Sequence, residues 1–183
     1  MHSRMNMQPK MRYMICLFSA IFMGLGLVAP FEAMGVPSAG TVDIQVLDIA
    51  DDAVEDGFAN VTTAVDTLPL GESGTTCGIR FQNVQIPYGS YISKAYIQFT
   101  ADTFSDLAGD LIFAGEESLN APAFDPAIPG SIGSRTETKA VITWTGVPPW
   151  GDAVETGVVQ QTMSVASIVQ ELVDQPGWDA TAR

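Results

Sequence analysis

Residues 90–101 read SYISKAYIQFTA, and their alternation decides the fold class. Tyr91, Ser93, Ala95, Ile97 and Phe99 fall on one side of an extended chain, and Ile92, Lys94, Tyr96, Gln98 and Thr100 on the other. A period of two belongs to a strand. The first side grows more apolar along its length, so it is predicted to meet a core while Lys94 and Gln98 look outward. A second alternating stretch, RTETKAVITW at 135–144, sets Thr136, Thr138, Ala140, Ile142 and Trp144 against Arg135, Glu137, Lys139, Val141 and Thr143. It is predicted to bury Trp144. TVDIQVL at 41–47 alternates as well, with Val42, Ile44 and Val46 sharing a face.

Between these lie shorter strand candidates at 65–70, 77–81, 84–86 and 111–114, punctuated by Gly and Pro. The acidic IADDAVEDGFAN at 49–60 reads as a loop. One helix stands out in SVASIVQELVDQPGW at 164–178. Val165, Ile168, Val169, Leu172 and Val173 form a single stripe, Ser164 is placed to cap the first turn, and Pro176 and Gly177 stop it. Many short strands and one covering helix near the C-terminus predict an all-β, jelly-roll-like β-sandwich. An immunoglobulin-like sandwich is the competing arrangement, although its Cys…Trp…Cys signature is absent.

The N-terminus has a different character. Arg4, Lys10 and Arg12 precede an uncharged run from Tyr13 to Phe31, the pattern of a secretory signal peptide over residues 1–33; a membrane anchor is the competing reading. A short linker at 34–40 and a single module at 41–183 complete the expected organisation, with the protein secreted or at the cell surface. The chain has 8 basic and 21 acidic residues. Beyond residue 33 only Arg80, Lys94, Arg135, Lys139 and Arg183 are basic. Such a balance disfavours nucleic acid and anionic membranes, which require clustered Lys and Arg. The module is expected not to insert into a membrane once the leader is removed.

The sole histidine is His2, so the module cannot assemble a Ser-His-Asp or Cys-His site or a His-containing zinc site. Cys77 is the only cysteine after the leader and is predicted to be a buried free thiol. No catalytic residues are expected, although two carboxylates across a cleft keep glycoside hydrolysis formally open. Calcium suits the acidic loops better. The three candidate places are the group Asp51, Asp52, Glu55 and Asp56, the pair Asp102 and Asp106, and the pair Glu116 and Glu117. Asp102 and Glu116, each just past an expected strand, are the candidate metal ligands. Among the aromatics, Trp150 lies in the proline-flanked TGVPPWGD and is the best exposed candidate for stacking on a sugar, with Tyr88 and Tyr91 beside it.

GIRFQNVQIPYGSYISKAYIQFTAD at 78–102, GEESLNAPAF at 115–124, SRTETKAVITW at 134–144 and SIVQELVDQPGW at 167–178 together resemble a known module. They are similar, in order and spacing, to the jelly-roll modules of bacterial secreted and surface proteins, the DNRLRE-type and related carbohydrate-binding domains. The resemblance implies a non-catalytic extracellular module that binds glycans or serves a structural or adhesive role. The alternative is a fragment of a larger polysaccharide-active enzyme. Trp150, Tyr88 and Arg135 are the candidate ligand-binding residues. Such modules usually continue past the helix into another apolar strand, whereas this chain ends in DATAR. The expected partners are therefore an extracellular glycan or neighbouring copies, with oligomers formed by pairing of an open sheet edge.

Overall fold

The computed structural model describes residues 12–14, 40–46, 48–102, 104, 109–151 and 156–180. Its strands are β1 (Arg12–Met14), β2 (Asp52–Glu55), β3 (Val61–Thr63), β4 (Thr76–Ile79), β5 (Leu111–Glu116) and β6 (Glu137–Trp144). A 3-10 turn (Val158–Gln160) precedes the helix α1 (Ala166–Val173).

The strands fall into two small antiparallel groups. β3, β2 and β4 make an antiparallel group of three, and β5 and β6 an antiparallel pair. The short β1 runs parallel to both β4 and β5 and stands between the groups, giving the order β3-β2-β4-β1-β5-β6. β1 belongs to the stretch expected as a leader, the rest of which lies outside the described residues. The jelly-roll β-sandwich expected from the sequence is not what the chain forms. The fold is a small mixed α/β domain with one helix, and among the described residues nothing closes into a sandwich or barrel.

The physical reason lies in two stretches with the cleanest alternation. Neither residues 41–46 nor residues 91–100 join a ladder of strands, and Gln98 forms only an isolated bridge with Gln161. Val42, Ile44 and Val46 are half-buried against the core and Asp43 and Gln45 are exposed, as the alternation requires. A period of two fixes which side chains turn inward, but it does not name the strand that accepts the backbone.

The acidic stretch expected as a loop instead supplies β2, whose two faces meet different cores. Ala53 joins Val61, Phe124 and Ile132 in a small cluster, and Val54 packs on the main core with Cys77 and Ile79. Asp56 closes the β2–β3 turn by accepting the N–H groups of Phe58 and Asn60, both at 2.9 Å. Gly78 in β4 sits against the small cluster. A Cβ there would stand 2.5 Å from the Phe124 ring, so only glycine lets the ring lie flat on the strand.

Helix α1 forms where the apolar stripe predicts. Ile168, Val169, Leu172 and Val173 are buried and pack with Leu111, Phe113 and Trp144. The expected Ser164 cap is weak, because its hydroxyl accepts from the Ala166 N–H at 3.4 Å and the N-cap position is Val165. What holds the helix is packing and side-chain bonding to the sheet. The β5–β6 ladder has an irregularity between Ala114 and Glu116. There the Gly115 N–H donates to Thr138 Oγ1 at 2.9 Å, and the Glu171 carboxylate accepts the N–H groups of Lys139 and Ala140, both at 2.8 Å. Gln170 reaches the other way, accepting from the Ile92 N–H and donating to the Ser90 carbonyl.

Candidate functional site

The residues singled out from the sequence scatter over the structure. Trp150 is buried, at 6% exposure, against Phe99 (ring centroids 5.8 Å apart) and Trp144 (6.5 Å). It is part of the aromatic core and does not form an exposed platform. Its indole N–H has no hydrogen-bond partner, and neither do the two amide atoms of buried Gln160. Trp144 is buried, as its place in the alternation predicts. Tyr88 and Tyr91 are the exposed rings, at 60% and 65%.

Arg135 is fully engaged by its own domain. Its guanidinium donates to Glu116 Oε2 at 2.7 Å and to the carbonyls of Ser131, Pro122 and Ala123, and it lies over the Phe124 ring. An arginine used five ways has no fork left for a ligand. The same pair occupies Glu116, the expected calcium ligand. Asp102 is exposed, and Asp106 lies outside the described residues. No group of three or more His, Cys, Asp or Glu side chains suited to a metal ion occurs among the described residues. Asp51 and Glu55 are structural: Asp51 accepts from Arg80 and Gln82 at 2.6 Å each, and buried Glu55 accepts the N–H groups of Ile132 and Gly133 at 2.9 Å. Cys77 is the buried free thiol expected, and burial pushes its pKa up to about 12.

Sequence reasoning missed the site that the structure does form. An open cleft of about 830 Å³ runs between the segments 41–46 and 96–100, floored by Asp52, Leu68, Ile79 and Phe81. Its volume falls in the range of small-ligand sites, roughly 300–1,000 Å³. One wall has a one-sided hydrogen-bonding pattern. Val165 N–H donates to the Ala95 carbonyl (2.9 Å), Thr162 N–H to the Ile97 carbonyl (3.0 Å), and Phe99 N–H to the Gln160 carbonyl (3.0 Å). The odd-numbered residues therefore spend their backbone groups on the segment 160–165. The backbone groups of Tyr96, Gln98 and Thr100, which project from the opposite edge, make no hydrogen bond among the described residues, and neither do those of 41–46.

The floor carries one distinctive charge. Asp52 Oδ1 is buried without a hydrogen-bond partner. Burial raises the carboxyl pKa above its ordinary value; the charge of Asp51 adds to the rise, and a backbone hydrogen bond partly offsets it. Asp43 is the other carboxylate lining the cleft, and neither Lys nor Arg lines it. Lys94 stands nearby with its Nζ 5.0 Å from the Tyr96 ring centroid. The Gln98 amide is already spent on the carbonyls of Phe99 and Gly157. The signal available in the sequence was Asp52 itself, an acid two residues before Val54 on the same face of a strand.

The fold and site together define a small mixed α/β domain with an open, acid-floored cleft between two extended segments. No family model, curated protein or solved structure matches the chain. Among the described residues no helix is long and apolar enough to cross a membrane.

Proposed function

We propose that this chain is a non-catalytic extracellular binding module whose contact face is the cleft between 41–46 and 96–100. The observation that carries the reading is the two runs of unbonded backbone groups lining one space. A segment edge whose N–H and C=O groups have no partner within the domain is a natural place for another chain to supply the bonds. The chemistry of the module fits a binding role, since the chain's lone histidine, His2, lies outside it and its acidic groups at Asp51, Glu55 and Glu116 serve its own loops. The aromatic platform has less support, because Trp150 is buried in the core and Arg135 is consumed.

The test is a labelled full-length chain offered to a glycan array and a peptide array, beside the variant Thr100→Trp. Thr100 is exposed and lines the cleft, so an indole there fills the space without disturbing the core. The expected result is a bound probe that Thr100→Trp rejects while the variant melts at the temperature of the parent. Binding that survives the substitution, or none to either array, overturns the proposal.

A further inference from the structure

We infer that the occupant of this cleft is an extended peptide strand carrying a lysine or arginine that meets Asp52. The inference rests on the binding-module reading and names its partner class. Three observations lead to it. The first is the alternation along 95–99, in which odd-numbered backbone groups bond to 160–165 and the even-numbered ones are left over. An incoming strand is the ligand whose donors and acceptors repeat at the same two-residue interval. The second is the opposite wall: 41–46 is extended too, and its backbone is likewise unbonded. A strand laid between the walls has a partner on each edge. The five residues of 96–100 correspond to a strand of roughly 17 Å.

The third observation is the floor. Ile79 and Phe81 offer an apolar surface, and the half-buried Asp52 lines the cleft with a carboxylate whose Oδ1 is buried without a hydrogen-bond partner. A buried carboxylate oxygen without a donor is costly, and a cationic side chain relieves that cost most fully. The ligand is therefore expected to carry its apolar and basic side chains at alternate positions of one face, the apolar ones on Ile79 and Phe81 and the basic one on Asp52, with polar residues between them. A neutral sugar fits less well, because the Gln98 amide is bound within the domain and Trp150 presents no face to the cleft.

The experiment titrates the peptide acetyl-SVTKTVSQ-amide, whose lysine and two valines share one face, into the isotope-labelled full chain. Its controls are the same peptide with glutamate for lysine, the same peptide N-methylated at alternate amides, and maltohexaose. The expected result is a change in the backbone amide signals of Tyr96 and Gln98 with the lysine peptide. Glutamate should weaken binding at least about tenfold, and N-methylation on the edge-facing amides should abolish it. In Asp52→Asn the preference for lysine over glutamate should disappear while the fold, read from the remaining amide signals, is unchanged. Equal binding of the methylated peptide, or of the glutamate peptide, overturns the inference. A glycan that Thr100→Trp rejects, with no peptide bound, sinks the inference and leaves the module reading standing. If no ligand depends on the cleft, both fail.

Discussion

The two sides of this domain are built from the same kind of sequence and end in opposite conditions. Around α1, an irregular stretch of the β5–β6 ladder would leave backbone groups unbonded, and side chains take them up: Thr138 receives Gly115, and Glu171 receives Lys139 and Ala140. Around the cleft, two extended segments have equally regular alternation, yet no side chain reaches their free backbone groups. Apolar patterning is thus enough to place a segment on the core. Closing the surface takes a donor or acceptor aimed at each leftover group. The helix side has them and the cleft side does not.

The largest expected effect tests the packed side. Leu172 is 1% exposed and joins α1 to the core beside Phe113. Leu172→Ala should cost about 2–5 kcal/mol, a large share of the roughly 5–15 kcal/mol that holds such a domain together. Ile44→Ala on the cleft wall, where the side chain is only half-buried, should cost about 1 kcal/mol. Urea unfolding of both variants measures the contrast. Equal costs would show that the wall is as firmly built as the helix and would break the comparison.

A smaller effect sharpens it. Glu171→Ala removes the acceptor for two N–H groups, one of them on half-buried Ala140. The expected loss is about 1.5–3 kcal/mol, typical of hydrogen bonds to a charged group. Glu171→Gln keeps one strong acceptor and should recover part of that loss. Amide hydrogen exchange supplies the local readout, with faster exchange expected at Lys139 and Ala140 and little change at Phe113. If exchange at those two amides stays as it was, the carboxylate is not what satisfies the irregularity.

Legibility in the sequence follows the same division. The helix, β5 and β6 were readable because a stripe or an alternation there coincides with a partner close in the chain: α1 covers the pair it follows, and β6 returns along β5. Cys77 as a buried thiol and Trp144 as a core residue followed from strand parity alone. β2 was not readable. Its acids at Asp51, Asp52 and Glu55 look like a solvated loop until Arg80, Gln82 and the N–H groups of Ile132 and Gly133, 29 to 78 residues away, are seen to bind Asp51 and Glu55. The jelly roll failed for a related reason, since closing a sandwich depends on which edges meet. Trp150 misled because flanking prolines suggest an exposed loop, and only the packing of Phe99 and Trp144 shows the ring inside.

The smallest effect concerns two aspartates four positions apart, Asp52 and Asp56, whose pH signatures run in opposite directions. Asp56 is held below its ordinary pKa, first by the side-chain hydrogen bond from Asn60 and then by backbone N–H donors. Folding therefore favours its charged form, and its contribution is complete above the ordinary carboxylate pKa and drains away as pH falls through the lowered one. Asp52 is raised, chiefly by burial. The folded chain binds that proton more tightly than the unfolded one, so stability declines as pH rises from the ordinary value through the raised one, and above both the charge is a standing cost. Asp52→Asn removes the cost. The variant should melt slightly above the parent at pH 7, with the gap closing near pH 3, where both parent states carry the proton. Asp56→Asn should melt below the parent at pH 7, with that gap also narrowing in acid. Both shifts are small, because Asp56 is exposed and Asp52 is only half-buried. Melting curves at the two pH values decide the matter. If Asp52→Asn is less stable than the parent at pH 7, the carboxylate already has a stabilising partner within the domain, and the cleft is not waiting for a cation.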